Sequence, residues 1–259
     1  MNPHDSNLTS DYYNAHWNSF ASRHYPQAKV IQAERFLSPV IEKINPNQKI
    51  LDVGCGDGVH WHYLKKIKRL PIHFTGVDIA LQPIEFLKNN SSDQRDSFIQ
   101  MNACELHFED DSFDFVFAYG VIGYTEDPAR AFKEMARVCK PAGYVGIFSP
   151  EIKGASKAIL DAARSAASLF GIRGKQVLAD ILVPFFGLAP SESGINLRNA
   201  TWRQVREVIL TDIAPPQLSI LPHHDLVNWF EGSNLEIIFD DNQIRSIVWG
   251  RKMESAAAR

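Results

Sequence analysis

Three glycines at alternate positions, Gly54, Gly56 and Gly58, follow a short apolar run at residues 49–53. The run predicts a buried β-strand, and the spacing of apolar residues over 60–68 predicts a helix directly after the glycines. Glycine is needed where a backbone turns sharply or approaches a ligand without a Cβ clash. The start of the helix also offers free N–H groups to a polar ligand. This strand–loop–helix unit predicts an α/β fold that binds a ligand at the loop.

Two ligand classes bind at such loops, and the glycine spacing separates them. The dinucleotide pattern G-x-G-x-x-G would place its third glycine at position 59, but Val59 stands there and the third glycine is Gly58. Asp52 lies two residues before the first glycine, where an acid would repel a pyrophosphate and suits a cation such as the α-amino group of a methionine moiety. Asp78, at the end of the next strand-like run, can accept from both ribose hydroxyls. The glycine spacing and Asp52 both favour S-adenosylmethionine over NAD, while Asp78 fits the ribose of either.

Alternation of β-rich runs with helical patterns predicts a Rossmann-like α/β fold with a mostly parallel seven-stranded sheet and helices on both faces. We predict strands at residues 49–53, 73–77, 97–101, 113–118, 144–149, 235–240 and 245–250, and helices at 60–68, 83–89, 128–139 and 226–230. The short connection between the last two strands predicts an antiparallel hairpin.

The same patterns divide the chain into four segments. Residues 1–45 predict two helices that cover the cofactor site, and residues 46–150 predict the cofactor-binding core. Residues 151–222 lose the strand signal and predict a helical insertion that caps the substrate. Residues 223–252 predict a helix and the antiparallel strands that complete the sheet.

The chain resembles the class I S-adenosylmethionine-dependent methyltransferases of the small-molecule type. Beyond the two motifs above, the resemblance rests on residues 101–104, 111–116, 127–134 and 137–143. It implies a role for each matching position: Asp52, Gly54, Cys55, Gly56 and Gly58 would line the methionine part, Asp78 the ribose, Ile79, Asn102 and Ala103 the adenine, and Tyr119 and Gly120 the sulfonium. Tyr124 stands where the family often has a histidine, and we expect it among the catalytic residues.

Further candidates lie at both ends of the chain. Tyr13 and Trp17, with Tyr12 and His16, predict an aromatic lid that excludes water and contacts the sulfonium. His223 or His224 is a candidate base for a substrate hydroxyl. In the insertion, Arg198, Arg203 and Arg206 are candidates for neutralising a substrate carboxylate, and a solvated helix face is the alternative.

The composition limits the kinds of partner that the chain is expected to bind. The net charge of −3 and the lack of a basic cluster argue against nucleic acid. Three scattered cysteines, Cys55, Cys104 and Cys139, form no metal-ligand spacing and fit reduced thiols in the cytoplasm. The most apolar window, residues 177–189, is too short to span a bilayer and is interpreted as a buried segment or the wall of an apolar pocket. We therefore expect a small, apolar methyl acceptor and no metal.

Several other functions remain open on the sequence. One is methylation of nucleic acid or protein, although the run Ala118-Tyr119-Gly120-Val121 departs from the Asn/Asp-Pro-Pro-aromatic motif of enzymes that methylate base nitrogens. Another is a NAD-dependent dehydrogenase, which Val59 disfavours. A third is a cofactor-binding protein without transfer activity, because the motifs report binding rather than turnover.

Overall fold

A seven-stranded sheet forms the centre of the molecule. The computed structural model describes residues 10, 13–14, 27–149, 162, 164–166, 169, 172–186, 202, 206, 219, 221–242 and 246–254. In chain order the strands are β1 Lys49–Val53, β2 His73–Asp78, β3 Asp96–Gln100, β4 Phe113–Tyr119, β5 Cys139–Ser149, β6 Leu235–Asp241 and β7 Ser246–Lys252. Their order across the sheet is β3-β2-β1-β4-β5-β7-β6. The first five are parallel, while β7 runs antiparallel to both β5 and β6.

Helices cover both faces of this sheet. In the described chain the α-helices are α1 Gln27–Leu37, the short α2 Val59–Trp61, α3 Leu81–Asn90, α4 Pro128–Val138, α5 Ile172–Phe186 and α6 His223–Gly232. Helix α2 runs directly into a π-helical segment, His62–Ile67, in which the N–H of Lys68 donates to the carbonyl of Tyr63 five residues back. The described chain also has 3-10 turns at Ile41–Lys43 and Ile122–Tyr124.

Each face has its own hydrophobic core. On one face, Phe132 of α4 and Phe230 of α6 pack with Val116 of β4. On the other, Phe36 of α1 and Leu64 pack with Trp249 of β7. Successive side chains of a strand face opposite sides of the sheet, and both sides are buried here. The sequences of β1 and β4 are therefore nearly continuous apolar runs.

The predicted fold class, strand set and C-terminal hairpin are confirmed. One difference is at β5, which begins at Cys139 rather than at residue 144, because Cys139 already pairs with Phe113 across a register shift. Another is the apolar window at 177–189, much of which lies in helix α5. There Ala179 and Val183 are buried, but Val177 and Ile181 are each 58% exposed, so the window is not buried throughout.

The described part of the chain contains no helix with the length and apolar character needed to cross a membrane. Most of the predicted cap at 151–222 and much of the N-terminal segment at 1–45 lie outside the described residues.

Candidate functional site

The carboxyl ends of β2, β1 and β4 lie side by side and bring the predicted site residues together. Strand β1 pairs with β2 on one side and with β4 on the other. Asp52 lies near the end of β1, Asp78 is the last residue of β2, and Tyr119 is the last residue of β4. In open α/β sheets, ligands bind at this edge.

The loop after β1 adopts backbone angles that require glycine. Gly54, Gly56 and Gly58 have φ values of 76°, 49° and 78°, in the left-handed region that side chains disfavour. A Cβ at Gly54 would also lie 2.3 Å from a methyl group of Val121, and a Cβ at Gly58 would lie 2.3 Å from a methyl group of Leu87. The glycines are therefore needed both for the turn of the backbone and for the close packing of the loop.

The loop is tied to β2. The N–H groups of Gly54 and Cys55 donate to the carbonyl of Val77 over 2.7 and 2.9 Å. Cys55 is buried and packs against Gly76, where an added Cβ would come within 2.9 Å of its sulfur. Burial raises the pKa of the Cys55 thiol well above its ordinary value, and the nearby carboxylates of Asp78 and Asp52 raise it further. Cys55 is thus a small packing residue with an unreactive thiol.

Asp78 is held rigidly at the mouth of the loop. Its Oδ2 accepts from the N–H of Gly56 and its Oδ1 from the N–H of Ala80, each over 2.9 Å. The side chain is nearly buried, and this burial raises the pKa of Asp78 to about 6, although the two backbone N–H groups act in the opposite direction. Each carboxylate oxygen keeps a lone pair, so Asp78 can still accept from two hydroxyl groups.

Asp52 is completely buried and faces a histidine. Oδ2 of Asp52 lies 3.2 Å from Nδ1 of His60, in the first turn of α2. Neither Oδ1 of Asp52 nor Nε2 of His60 has a hydrogen-bond partner within the described residues. A buried polar atom without a partner is costly, and such an atom beside a ligand site fits a group that arrives with the ligand.

The residues predicted at the adenine lie beyond Asp78. Ile79 and Ala103 are half-buried. The side-chain oxygen of Asn102 accepts from the N–H of Cys104 over 2.9 Å, and its amide nitrogen donates to Glu126 over 3.2 Å. The oxygen of Asn102 keeps a second lone pair and can still accept from an amino group.

At the end of β4, Tyr119 stacks on Phe148 with ring centroids 4.2 Å apart. Gly120 has a φ of 66°, and its N–H donates to the carbonyl of Phe148. Half-buried Tyr124 ends the 3-10 turn that follows. The loop after β4 thereby stays close to the glycine loop, with Val121 against Gly54.

The N-terminal segment contacts the loop after β2, though through other side chains than expected. The hydroxyl of Ser10 donates to the carbonyl of Ile79 over 3.2 Å, and Oδ1 of Asn14 accepts from the N–H of Leu81 over 2.8 Å. Between them Tyr13 is half-buried. The other predicted lid residues, Tyr12, His16 and Trp17, lie outside the described residues.

This chain is similar to known proteins in sequence and in fold. Residues 51–147 match the family model described as a methyltransferase domain. Among curated relatives, a sterol 24-C-methyltransferase of Debaryomyces hansenii is 29% identical over 57% of this chain and 41% of its own length. A phosphoethanolamine N-methyltransferase of Arabidopsis thaliana is 30% identical over 40% of this chain and 22% of its own. The chain thus spans less than half the length of these curated relatives.

Among solved structures, magnesium protoporphyrin IX methyltransferase from Synechocystis PCC 6803, with bound SAH, aligns over 96% of this chain and all of its own. The TM-score is 0.60 and the identity 12%, so this likeness concerns the fold. Residues 51–147 are a methyltransferase domain of the class I S-adenosylmethionine-dependent type.

The two histidines proposed as bases have other partners in the structure. His223 bonds at both ring nitrogens: Nδ1 is 3.2 Å from Oγ of Ser246, and Nε2 is 3.0 Å from Oδ1 of Asp240. The side chain of His224 is 75% exposed and lies beside Asp225. A general base needs a free nitrogen at the substrate, so this geometry does not favour either histidine.

Of the three candidate arginines of the insertion, the structure describes one. Arg206 is paired with Asp180, with Nε and Oδ1 2.6 Å apart, which occupies the charge that was a candidate for a substrate carboxylate. Arg198 and Arg203 lie outside the described residues. Among the described residues, no three His, Cys, Asp or Glu side chains are placed to hold a metal ion.

Sequence reasoning missed three residues of the site: His60, Val121 and Glu126. None of the three was given a side-chain role at the cofactor site. For His60 the available signal was a polar residue in the first turn after the glycines, where helix N–H groups face the ligand. No local pattern could indicate Val121 or Glu126, because their contacts join separate loops.

Proposed function

We propose that this methyltransferase transfers a methyl group from S-adenosylmethionine to a small-molecule acceptor. One observation supports this most strongly: two buried carboxylates, Asp52 and Asp78, flank a left-handed glycine loop at the carboxyl edge of the sheet. A cationic amino acid and a ribose diol are the groups that such a pair accepts. The methyltransferase relatives support the same reaction.

The proposed roles follow the order of the strands. Asp78 accepts from the ribose hydroxyls, while Ile79, Asn102 and Ala103 border the adenine. Asp52, with the loop of Gly54, Cys55, Gly56 and Gly58, surrounds the methionine part. Tyr119 and Gly120 stand near the sulfonium, and Tyr13 and Trp17 belong to the covering lid.

Bound S-adenosylmethionine supplies a methyl group on positively charged sulfur, which an oxygen, nitrogen or carbon nucleophile of the acceptor takes by in-line displacement. Since this electrophile is already activated, the protein mainly aligns the partners and excludes water. Asp78 fixes the nucleoside through two rigid acceptor oxygens. Tyr119 and Gly120 would border the sulfonium, with Tyr124 beside them as the proposed catalytic residue, and the cofactor leaves as the neutral thioether S-adenosylhomocysteine.

The acceptor is proposed to be apolar, with residues 151–222 as its cap. Relatives that act on sterols support an apolar acceptor, and the insertion is rich in large apolar residues: Leu169, Phe170, Phe185, Phe186, Leu188 and Trp202. A cytoplasmic location is proposed from the cysteines, all three of which are free and buried.

The proposal is tested by incubating the protein with S-adenosylmethionine labelled in its methyl group. The acceptor panel would contain a sterol, a phenol, an amine, an RNA and a protein mixture. We expect label in a small apolar acceptor and none with Asp78→Asn, since that variant loses the charge that accepts the ribose hydroxyls. Label only in RNA or protein would refute the small-molecule assignment. Bound cofactor with no labelled product would identify a binding protein without transfer activity.

A further inference from the structure

The methionine end of the site contains a residue for which neither the family motif nor the reaction provides a role. His60 is inserted between the glycine loop and β4, and its side chain is only 5% exposed. Its ring lies 5.2 Å from Phe117, 5.1 Å from Tyr119 and 5.7 Å from Phe36, measured between centroids. Nε2 of His60 has no hydrogen-bond partner among the described residues, and the polar contact of the ring is through Nδ1 with Asp52.

The hydrogen between these two side chains can be assigned by chemistry. A carboxylate is an acceptor only, so Nδ1 of His60 must donate to Oδ2 of Asp52 across their 3.2 Å separation. That bond fixes the rotation of a carboxylate that is 1% exposed. The other oxygen, Oδ1, then stays without a donor from the described residues.

The strand order places this oxygen at a particular end of the ligand. Asp78, which would hold the ribose, ends β2 on one side of β1. His60 contacts Phe117 and Tyr119 of β4 on the other side of β1. A nucleoside fixed at Asp78 and extending across the glycine loop would thus bring its far end, the amino-acid portion, to Asp52.

We propose that His60 is a positioning residue: through Nδ1 it orients Asp52 so that Oδ1 accepts from the α-ammonium group of the cofactor. This inference rests on the proposed function, because it assumes the same ligand. An ammonium group supplies both the hydrogen-bond donor and the positive charge that a buried carboxylate oxygen needs. His60 therefore governs recognition of the methionine portion and not of the nucleoside.

Two ligands distinguish recognition of the nucleoside from recognition of the amino-acid portion. S-adenosylhomocysteine has the nucleoside and the amino-acid portion, whereas 5′-methylthioadenosine has the nucleoside and sulfur but no amino-acid portion. Affinities of both would be measured by calorimetry for the wild-type protein, His60→Leu, His60→Asn and His60→Gln. Asn places an amide N–H near the position of Nδ1, whereas Gln places its amide near Nε2, so they form a matched pair.

We expect His60→Leu and His60→Gln to bind S-adenosylhomocysteine about tenfold or more weakly, since a hydrogen bond to a charged group is lost. His60→Asn should recover most of that affinity, and all four proteins should bind 5′-methylthioadenosine alike. Equal weakening of both ligands would show a merely structural role and overturn the inference. Unchanged affinity in His60→Leu, or no recovery in His60→Asn, would overturn it as well.

An error in the proposed function would give a different result from an error in the role of His60. If the wild-type protein binds neither ligand, the cofactor assignment itself is wrong, and the role of His60 falls with it. If His60→Leu does not fold, the comparison of His60→Asn with His60→Gln still decides, because both keep a polar side chain of similar size.

Discussion

The protonation state of Asp78 is expected to make ligand affinity depend on pH. Its pKa is raised to about 6, mainly by burial. The ribose hydroxyls need an acceptor, which the carboxylate provides better than the protonated acid. We therefore predict that affinity for S-adenosylhomocysteine falls as the pH drops below about 6, and that binding near this pH releases protons. Calorimetry in two buffers of different ionisation enthalpy measures both effects.

In the ligand-free protein, the same pKa shift acts on stability with the opposite sign. The folded pKa lies above the ordinary value of 3.8, so the folded protein holds the proton more tightly than the unfolded chain. The contribution of Asp78 to stability is thus fully present below pH 3.8 and is lost as the pH rises through about 6. In Asp78→Asn, the pH dependence of the affinity and this pH dependence of the stability should both vanish. A variant that keeps the pH profile of the wild type would show that another group is responsible.

Gly54 is the loop residue least tolerant of a side chain. Its φ of 76° disfavours any Cβ, and that atom would lie 2.3 Å from Val121. We predict that Gly54→Ala lowers the free energy of unfolding by about 1–3 kcal/mol and weakens cofactor binding. Urea denaturation measures the first effect.

Gly232 provides the matched control for that variant. It ends helix α6, and a Cβ there would meet no atom within 4 Å. Gly232→Ala should leave stability unchanged or raise it slightly. Equal losses in the two variants would contradict the role given to the loop geometry.

The carboxylates of the site could be predicted from the sequence because their positions are local. Asp52 and Asp78 each follow from one strand and the turn after it. The pairing of Asp52 with His60 could not be predicted, since it depends on how the glycine loop folds the first turn of α2 back over β1. The contact between Asn102 and Glu126 likewise joins loops that are distant in sequence.

At the scale of elements, helix α1 is attached to the opposite end of the chain. The indole N–H of Trp249 in β7 donates to the carbonyl of Phe36 over 2.9 Å, and both residues are fully buried. Trp249→Phe keeps an aromatic ring but leaves that carbonyl without its donor. We predict a loss of about 1–2 kcal/mol in the free energy of unfolding, measured by urea denaturation. An unchanged free energy would indicate that water or another donor replaces the indole.

Helix α4 begins with a capping residue. Asp127 precedes Pro128, and its carboxylate accepts from the N–H of Arg130. We predict that Asp127→Ala costs about 1 kcal/mol of stability and that Asp127→Asn costs clearly less, since Asn caps well. Thermal unfolding followed by circular dichroism would compare them. Equal losses in both would assign the effect to the charge rather than to the cap.

Elements with a strong period were predicted to within a residue or two. Strand β1 has the predicted bounds, and β2 and β4 are each one residue longer. The π-helical turn at His62–Ile67 was not predicted, because the apolar spacing of α- and π-helices hardly differs over six residues. Helix α5 was hidden by Pro184, which marks a helix end in most sequences but lies inside this one.

For the whole molecule, the order of the strands depends on pairings that no local pattern contains. The alternation of strands and helices predicts parallel neighbours, and the short connection between the last two strands predicts a hairpin, but neither pattern predicts that β7 lies between β5 and β6. This order sets the polarity of the proposed site, in which the ribose would lie near β2 and the sulfonium near β4. Every role proposed above depends on that polarity.

Titration of the intact chain with S-adenosylhomocysteine tests the central claim most directly. We predict that the wild-type protein binds one molecule per chain in a saturable manner. The affinity should be strongly weakened in Asp78→Asn and in Asp52→Asn. A wild-type protein that shows no binding up to a ligand concentration of about 1 mM, or that binds as tightly without either carboxylate, would contradict it.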